Sequence, residues 1–455
     1  MPTQATALRS IAAPARRRSV LAAPAEYAPD LRWDLLLLCV AGHILTAVGR
    51  VHQLFPVVGA LRPAILTGLL AMALYLFDRQ DERQPRRVLL PTTKLVLTFL
   101  LWTIASTAGA IVLGNSFDVV FGNLVKTVLM CVVLAGSVRG LRDVERLTMV
   151  YVVAATIYAI VVVARFDLGE GSDWRLGRLY YYDANDLATY LVTAMPLGVY
   201  FLLTGRRAVG RVLAAGALAI LTVAFVRTGS RGGFIALIAV IVFIVLRYSA
   251  ISLGRRLSAA VLVTLILLGT ASNRYWEQMT TIASDDDYNR TEETGRLQIW
   301  GRGIGYMLQH PLLGVGPGNF QTAEGTLSPL AERQQFGVGV RWNAAHNTYI
   351  QVGAETGVIG LLLILAMIAS ALVALSRSRR RGSDRADSRE RQTQLAQVLT
   401  ASLIGFVVGA FFLSLAYTEM LYTLIALAVG LQKVAQEPDR KAAAPATLVP
   451  AWRRS

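Results

Sequence analysis

The residues best suited to chemistry lie in one long polar stretch, residues 273–351. It contains Arg296, a glycine-rich turn at 314–318 and His346. A guanidinium can hold a phosphate through two parallel hydrogen bonds, and a neutral imidazole can take a proton from a hydroxyl group. These residue types predict a site that binds an anionic group and activates a hydroxyl.

The segment after Arg296 has the pattern of an amphipathic helix of about four turns that lies on the membrane or on the helical bundle. Apolar side chains recur there at helical spacing, at Leu297, Trp300, Ile304 and Leu308. We expect Thr294 to be the N-cap, which places Arg296 in the first turn, where free N–H groups and the helix dipole favour an anion. A solvated charge is an equally good interpretation of Arg296 from the loop alone.

The other polar features have simpler explanations beside the chemical ones. The turn at 314–318 lacks the Lys-Ser/Thr of a P-loop and follows no strand, which favours a tight turn that returns the chain to the membrane. His346 and Asn347 precede the next apolar run, and Glu355 lies nine residues after the histidine. Glu355 can partner His346, although an acid embedded in the helix is slightly favoured.

Apolar runs dominate the rest of the chain. Its 455 residues are 54% hydrophobic and 16% charged, whereas soluble domains carry roughly 25% charged residues. Repeated runs of about 17–25 apolar residues are typical of an all-α, polytopic integral membrane protein. We predict about twelve transmembrane helices, nine within 31–272 and three within 352–436. They are 34–50, 55–77, 94–113, 118–137, 146–164, 187–204, 212–227, 231–247, 257–272, 352–375, 395–416 and 419–435.

The distribution of positive charge orients these spans. Arginine and lysine cluster in every second connection, which the positive-inside rule assigns to the cytoplasm. This predicts that both termini are cytoplasmic and that residues 273–351 form an extracytoplasmic loop containing short helices. Residues 1–30 and 437–455 have the composition of disordered cytoplasmic tails.

Composition argues against several other classes of protein. The net charge of +16 falls in short clusters between apolar runs, so nucleic acid is not an expected partner. Cys39 and Cys131 lie inside apolar runs, and the four histidines leave little room for a metal centre. The acidic run 285–287 is typical of a solvated turn. We therefore expect no metal site and no cofactor.

Three segments that we predict to be extracytoplasmic carry arginine, contrary to the positive-inside rule. They are the segment containing Arg178, the turn containing Arg227 and Arg231, and the long loop. Arginine near the hydrocarbon costs a few kcal/mol, which an anionic ligand would offset; contact with lipid headgroup phosphates is an equally good explanation. Asn185, just before the next span, can bind a sugar or belong to a helix cap, and the cap is favoured.

Four short motifs occur in one order along the chain. They are Thr228-Gly229-Ser230-Arg231-Gly232, Thr294-Gly295-Arg296 with Trp300, Gly314-Val315-Gly316-Pro317-Gly318-Asn319-Phe320, and His346-Asn347-Thr348-Tyr349. With one long loop, this set resembles the O-antigen ligase/polymerase superfamily of bacterial envelope glycosyltransferases. The resemblance implies a metal-independent, inverting transfer of glycan from undecaprenyl diphosphate to an acceptor hydroxyl, at the periplasmic face of the inner membrane.

The resemblance also implies roles for particular residues. The catalytic residues it implies are Arg231, Arg296 and His346. Asn347 and Glu355 match the motif that follows the histidine, and Asn185 resembles a variant in members linked to exopolysaccharide synthesis. We expect these three, with Arg178 and Arg227, to bind substrate. The implied partners are the undecaprenyl-diphosphate-linked glycan donor, membrane lipids, and an acceptor that is lipid A-core, protein or another lipid-linked glycan.

Three functions stay open at this point. A ligase would end the chain on lipid A-core or protein, and a polymerase of the same superfamily would add a repeat unit to a lipid-linked glycan of the O-antigen or exopolysaccharide type. Twelve spans would also suit a transporter of lipid-linked sugars. A transporter is less favoured, because its two halves should resemble each other and the long loop would have no purpose.

Overall fold

Helices form the fold, as the apolar runs predict. The computed structural model describes residues 32–80, 83, 85–166, 176, 179, 182–249, 251–283, 292–331, 343–380 and 386–443. The predicted tail 1–30, Arg178 and the acidic run 285–287 lie outside the described residues. The predicted tail 437–455 begins inside the last helix, which extends to Ala443, and its remainder also lies outside them.

The helical segments follow each other with short connections. In chain order the α-helices are α1 (Leu35–His43), α2 (Pro56–Ala60), α3 (Pro63–Phe77), α4 (Pro85–Val88), α5 (Pro91–Ser106), α6 (Leu113–Phe117), α7 (Val125–Ser137), α8 (Leu141–Arg165), α9 (Ala184–Thr204), α10 (Ala208–Thr228), α11 (Arg231–Arg247), α12 (Leu253–Thr270), α13 (Asn273–Thr280), α14 (Arg296–Gln309), α15 (Phe320–Thr326), α16 (Thr348–Arg380), α17 (Ala386–Gly409) and α18 (Glu419–Ala443). The π-helical segments Ile44–Val48 and Asp118–Leu124 continue α1 and join α6 to α7, and 3-10 turns lie at Val51–Leu54, Thr107–Gly109, Thr281–Ala283 and Ala410–Phe412. Proline begins α3 and α5. The first N–H of a helix makes no hydrogen bond within the helix, so a proline, which lacks that N–H, is tolerated there.

Each predicted span coincides with a helix or with consecutive helical segments, but not all of them have the length of a span. Among the residues that the structure describes, six stretches are long and apolar enough to cross a membrane: Leu113–Ser137, Leu141–Arg165, Ala184–Thr204, Ala208–Thr228, Thr348–Arg379 and Asp387–Phe412. A seventh arises if Leu253–Gly269 and Asn273–Thr280, bent by 112°, form one span. The chain is therefore a multi-pass membrane protein. The count of twelve stays a prediction, since α3 has 15 residues, about 22 Å of helix, and the hydrocarbon is ~30 Å thick.

The centre of the bundle is α9, which packs against α8, α10 and α17. The hydroxyl groups of Tyr151 and Thr193 are 2.8 Å apart, and the rings of Tyr151 and Tyr190 meet edge to face. The outer helices α10 and α12 instead expose large apolar side chains, such as Leu213 and Leu265. Such surfaces fit a lipid environment, because lipid tails are as apolar as leucine.

The antiparallel helices α8 and α9 define two ends of the bundle. The C-terminus of α8, the N-terminus of α9 and the turn between α10 and α11 lie together at one end, the candidate-site end. The opposite end holds an ion-pair network around Arg83, whose side chain is 1% exposed and pairs with Asp34 at 2.6 Å and Asp78 at 2.7 Å. Arg139 extends it to Asp143 at 2.8 Å. These buried charges are tolerated because they are paired.

Candidate active site

Arg231 is the first residue of α11 and lies against the connection between α17 and α18, residues 411–414. The backbone at the next residue, Gly232, packs so closely that a Cβ there would lie 2.8 Å from the Cβ of Phe412. Arg231 is half-buried, and its Nη1 donates to Thr281 Oγ1 at 2.8 Å. Its guanidinium is thus held where α11 meets the start of the long loop.

Arg296 is the first residue of α14 and reaches the same connection through Trp300. The rings of Trp300 and Phe411 meet edge to face with centroids 5.3 Å apart, and Trp300 Nε1 donates to the carbonyl of Ala345 at 3.0 Å. Because Trp300 lies one turn after Arg296, these contacts place the start of α14 beside the connection and beside His346.

The start of α14 differs from the prediction in one respect. Gly295 is the N-cap, so the prediction of Thr294 was wrong; the Thr294 hydroxyl donates to Glu292 Oε2 at 3.4 Å instead. A glycine has no side-chain acceptor, and α14 begins without a side-chain cap. The N-terminus of α14 thus carries no side-chain cap, and the helix dipole favours an anion there.

The helix α14 is amphipathic, and its predicted apolar stripe is divided: Trp300 packs against the bundle, whereas the other three side chains are exposed. Leu297, Ile304 and Leu308 are 48%, 44% and 67% exposed. The side that packs against α16 carries the buried Ile299 and Tyr306. The exposed part of the stripe favours contact with the membrane surface, one of the two predicted locations of this helix.

His346 lies just before α16, in a conformation that non-glycine residues adopt rarely. Its φ of 45° is left-handed, a backbone state that costs of order 1–3 kcal/mol and clusters at functional sites. Its N–H donates to Ser414 Oγ at 3.0 Å, which ties the histidine to the α17–α18 connection. The elements that carry Arg231, Arg296 and His346 therefore meet the same connection, through Gly232, Trp300 and the His346 backbone.

The electrostatic environment of His346 keeps its imidazole neutral. Burial lowers its pKa below the ordinary value of 6.5; the positive charge of Arg296 lowers it further, and Asp183 acts in the opposite direction. Asp183 is the N-cap of α9 and accepts from the N–H groups of Asn185 and Asp186, each at 2.7 Å. The favoured interpretation of this segment as a helix cap is thus confirmed, with Asp183 as the capping residue.

The other predicted binding residues at this end differ in accessibility. Asn185 is half-buried in the first turn of α9. Arg227 is half-buried as well, and its Nη1 donates to the carbonyl of Val163 in the last turn of α8 at 2.8 Å. Arg178 lies outside the described residues. Substrate-binding roles for all three stay predictions.

Asn347 and Glu355 are buried and already hydrogen-bonded within the protein; each is 1% exposed. Asn347 Oδ1 accepts from the N–H groups of Tyr349 at 3.0 Å and Ile350 at 3.1 Å, and so caps α16. Glu355 Oε2 accepts from the hydroxyl of Tyr417 at 2.7 Å. The structure does not bring these two side chains to the accessible part of the site, and their predicted contact with substrate is untested.

The glycine-rich turn at 314–318 is a tight turn packed on α16, as the sequence favours. The N–H of Val315 donates to the carbonyl of Ala354 at 2.8 Å, and that of Gly316 to Glu355 at 3.0 Å. The backbone of α16 bends at Gly357, which has a φ of 72°, and a Cβ there would lie 2.1 Å from the Leu312 carbonyl oxygen. Only glycine allows this approach.

Sequence reasoning missed the ion pair that joins α14 to α15. Glu324 is fully buried; Arg302 Nη2 donates to its Oε2 at 2.6 Å, and the Tyr306 hydroxyl to its Oε1 at 2.7 Å. The hydrogen bond from Arg302 to this carboxylate raises the pKa of Arg302. Ser414 was missed too, since nothing in its local sequence connects it with His346.

A metal centre is not apparent in the part of the chain that the structure describes. No three or more histidine, cysteine, aspartate or glutamate side chains come together there as metal ligands. Cys39 and Cys131 are both buried and free.

The fold and the site define a multi-pass membrane protein with a cationic site at one end of its helical bundle. Comparison with protein families takes this further, because residues 215–365 match the family model described as O-antigen ligase. This stretch, which includes Arg231, Arg296 and His346, is an O-antigen ligase family domain. Such a domain implies an enzyme that transfers glycans and acts on lipid-linked glycan substrates. No curated protein matches the sequence.

Proposed function

We propose that this protein is an O-antigen ligase that transfers a glycan from undecaprenyl diphosphate to an acceptor hydroxyl at the periplasmic face of the inner membrane. The observation that carries the proposal is that the neighbours Gly232 and Trp300 and the backbone of His346 contact residues 411–414, with Arg296 close enough to act on the pKa of His346. The family match supports it, because residues 215–365 contain all three side chains.

In this proposal Arg231 and Arg296 bind the diphosphate of the donor. Negative charge grows on the diphosphate as the anomeric C–O bond breaks, and guanidinium groups stabilise it through parallel hydrogen bonds. The N-terminus of α14, which has no side-chain cap, adds N–H donors. Loss of one such preorganised donor reduces the rate by about 10²–10³.

His346 acts as the general base. A bond forms between the acceptor oxygen and the anomeric carbon, the bond from that carbon to the diphosphate oxygen breaks, and the hydroxyl proton passes to an imidazole nitrogen. The lowered pKa of His346 keeps the ring neutral and able to accept the proton at pH 7. General-base catalysis of this kind contributes roughly 10²–10⁴ in rate.

The reaction we propose needs no metal ion, because two guanidinium groups supply the positive charge that a divalent cation supplies elsewhere. The test uses purified protein, a donor on undecaprenyl diphosphate and an acceptor glycolipid, without nucleotide. Transfer should be unchanged by excess chelator. Activity that disappears with chelator and returns with Mg²⁺ would contradict metal independence while leaving the transfer itself intact.

The orientation is part of the proposal. We propose twelve spans, with both termini in the cytoplasm and the candidate-site end in the periplasm. Arginines in the connections at the opposite end, such as Arg139 and Arg142, support this orientation through the positive-inside rule. A cysteine introduced at exposed Leu308 should react in intact cells with a maleimide that cannot enter the cytoplasm; protection of that cysteine would contradict the orientation.

A polymerase of the same superfamily is the second candidate. Its support is the segment that contains Asn185, which resembles members linked to exopolysaccharide synthesis. Asn185 lies beside the N-cap Asp183, whose charge raises the pKa of His346. Surface glycan from a deletion strain separates the two candidates. Lipid-linked polymer that accumulates while long chains vanish from lipid A-core indicates a ligase, whereas accumulation of single repeat units indicates a polymerase.

A further inference from the structure

The end of the bundle opposite to the candidate active site contains a cleft that the proposed transfer does not use. It lies between the N-terminus of α8, the C-terminus of α9 and the N-terminus of α17, with a volume of about 340 Å³. Four arginines and one acid line it: Arg142, Arg146, Arg206, Arg391 and Glu145. The 25 residues of α8 separate it from the active-site end by roughly 36 Å.

The cleft is cationic because four arginines line it against one acid, although Arg146 is also paired at 3.2 Å with Asp143, which is buried beside the cleft. Glu145 is 8% exposed, and its carboxylate is held by Arg391 at 2.7 Å and by the Tyr200 hydroxyl at 2.5 Å. Arg206 pairs with Asp387 at 3.1 Å, but both side chains are more than 70% exposed. Such an exposed pair contributes little, so an incoming anion can compete with Asp387 for the guanidinium.

An apolar strip begins at the cleft and follows one face of α8. Met149 lines the cleft, and Met149, Val153 and Ile160 are 43%, 45% and 50% exposed at helical spacing. They extend over about 16 Å of helix, close to half of the ~30 Å hydrocarbon thickness. The strip therefore has the length of one leaflet.

We propose that the cleft binds the phosphate headgroup of an anionic phospholipid, from the leaflet opposite to the candidate active site. Guanidinium groups bind phosphate oxygens in pairs, and basic pockets between transmembrane helices bind anionic headgroups. One acyl chain lies along Met149, Val153 and Ile160. The continuity of this strip with the cleft selects a lipid over free phosphate, since a free ion would gain nothing from it.

The test measures lipid retention by the purified protein in neutral detergent, using native mass spectrometry with phosphatidylglycerol and phosphatidylcholine. Phosphatidylglycerol should bind at least about tenfold more tightly. Arg142→Gln and Arg206→Gln should each weaken it about fivefold, the contribution of one basic residue near an anionic lipid surface. Arg207→Gln removes a neighbouring exposed arginine that does not line the cleft and should change retention less than twofold. Melting temperatures show that the variants are folded.

Three results would overturn the proposal. Equal binding of the two lipids, or an equal loss in Arg207→Gln, would mean that the cleft is not a specific site. The cleft would be a site for free phosphate if millimolar inorganic phosphate displaced phosphatidylglycerol and Met149→Asn had no effect on lipid retention. Displacement that requires another anionic lipid, together with weaker retention in Met149→Asn, supports the lipid.

Discussion

Burial lowers the pKa of the His346 imidazole and the guanidinium of Arg296 lowers it further, although Arg296 and His346 belong to different elements of the long loop. Arg296 begins α14, and His346 precedes α16. The indole of Trp300 brings these elements together by donating to the carbonyl of Ala345 at 3.0 Å. A cation beside a neutral base is the arrangement that a reaction with an anionic leaving group and a hydroxyl acceptor requires.

The first prediction concerns pH. Neutral His346 is the active form, so transfer should persist below pH 6.5 and fall only as the pH drops through the lowered pKa of His346. Asp183→Asn keeps a capping side chain but removes the charge that raises this pKa. The acidic limb of the plot of transfer rate against pH should therefore move to lower pH. Arg296→Gln removes a charge that lowers the pKa, so the limb of its residual activity should move to higher pH.

The measurement for this prediction is kcat/KM against pH, between about 4.5 and 8, which reports the pKa values of the free enzyme. The assignment of His346 as the base would be contradicted if the acidic limbs of the two variants moved in the same direction. It would also be contradicted if the acidic limb of the wild-type protein lay above the ordinary pKa range of histidine.

The second prediction concerns the arginines. Arg231→Gln and Arg296→Gln should each lower the rate of transfer by about 10²–10³, because each removes a donor to the leaving diphosphate. Arg296→Lys should recover part of the rate, since it restores the charge without the paired hydrogen bonds. Transfer is measured with purified protein and donor. The control is Arg274→Gln, which changes an exposed arginine on α13 of the same loop. A comparable loss of transfer in this control would show that removing any positive charge from the loop lowers the rate, which would contradict specific roles for Arg231 and Arg296.

The third prediction tests Ser414 as a positioning residue. Ser414→Ala removes the acceptor of the His346 N–H, and we expect kcat to fall about fivefold, the worth of roughly 1 kcal/mol for one hydrogen bond, with KM for the donor unchanged. Ser414→Thr retains an acceptor and should recover activity. Thr418→Ala removes a hydroxyl that donates to Leu415 at 3.0 Å on the same connection. If kcat fell as far in Thr418→Ala as in Ser414→Ala, Ser414 would only stabilise the connection and would not position His346.

The fourth prediction concerns the stability of the loop. Glu324→Ala leaves Arg302 without its carboxylate, and unpairing a buried ion pair destabilises by about 3–5 kcal/mol. Replacing both residues by methionine should restore most of the stability, because no unpaired charge remains. Thermal unfolding in detergent measures both effects. Asp387→Ala breaks an exposed pair and should have little effect; a double variant less stable than Glu324→Ala would contradict the explanation.

Much of the fold could be predicted because its information is local. An apolar run such as 141–165 can hardly be anything but a buried or lipid-facing helix, and the structure has α8 there. Arginine placed against the positive-inside rule likewise marked Arg227 and Arg231, which the structure brings to the candidate-site end. The number of spans was harder to predict, because periodicity does not distinguish a short buried helix from one that crosses the membrane.

What could not be predicted depends on tertiary packing. Arg302 and Glu324 pair across two helices, and neither residue type nor spacing indicates that contact. The same holds for Ser414 and His346. The prediction of Thr294 as the N-cap failed because the cap is Gly295, one position later, and boundaries of this kind are uncertain by one or two residues.

The most direct measurement of the central claim is transfer by purified, folded His346→Gln protein. If His346 takes the acceptor proton, kcat should fall by about 10²–10⁴ while donor binding is retained. His310→Gln, which changes the exposed histidine of the same loop, should transfer glycan at the wild-type rate. Full transfer by His346→Gln would contradict the account.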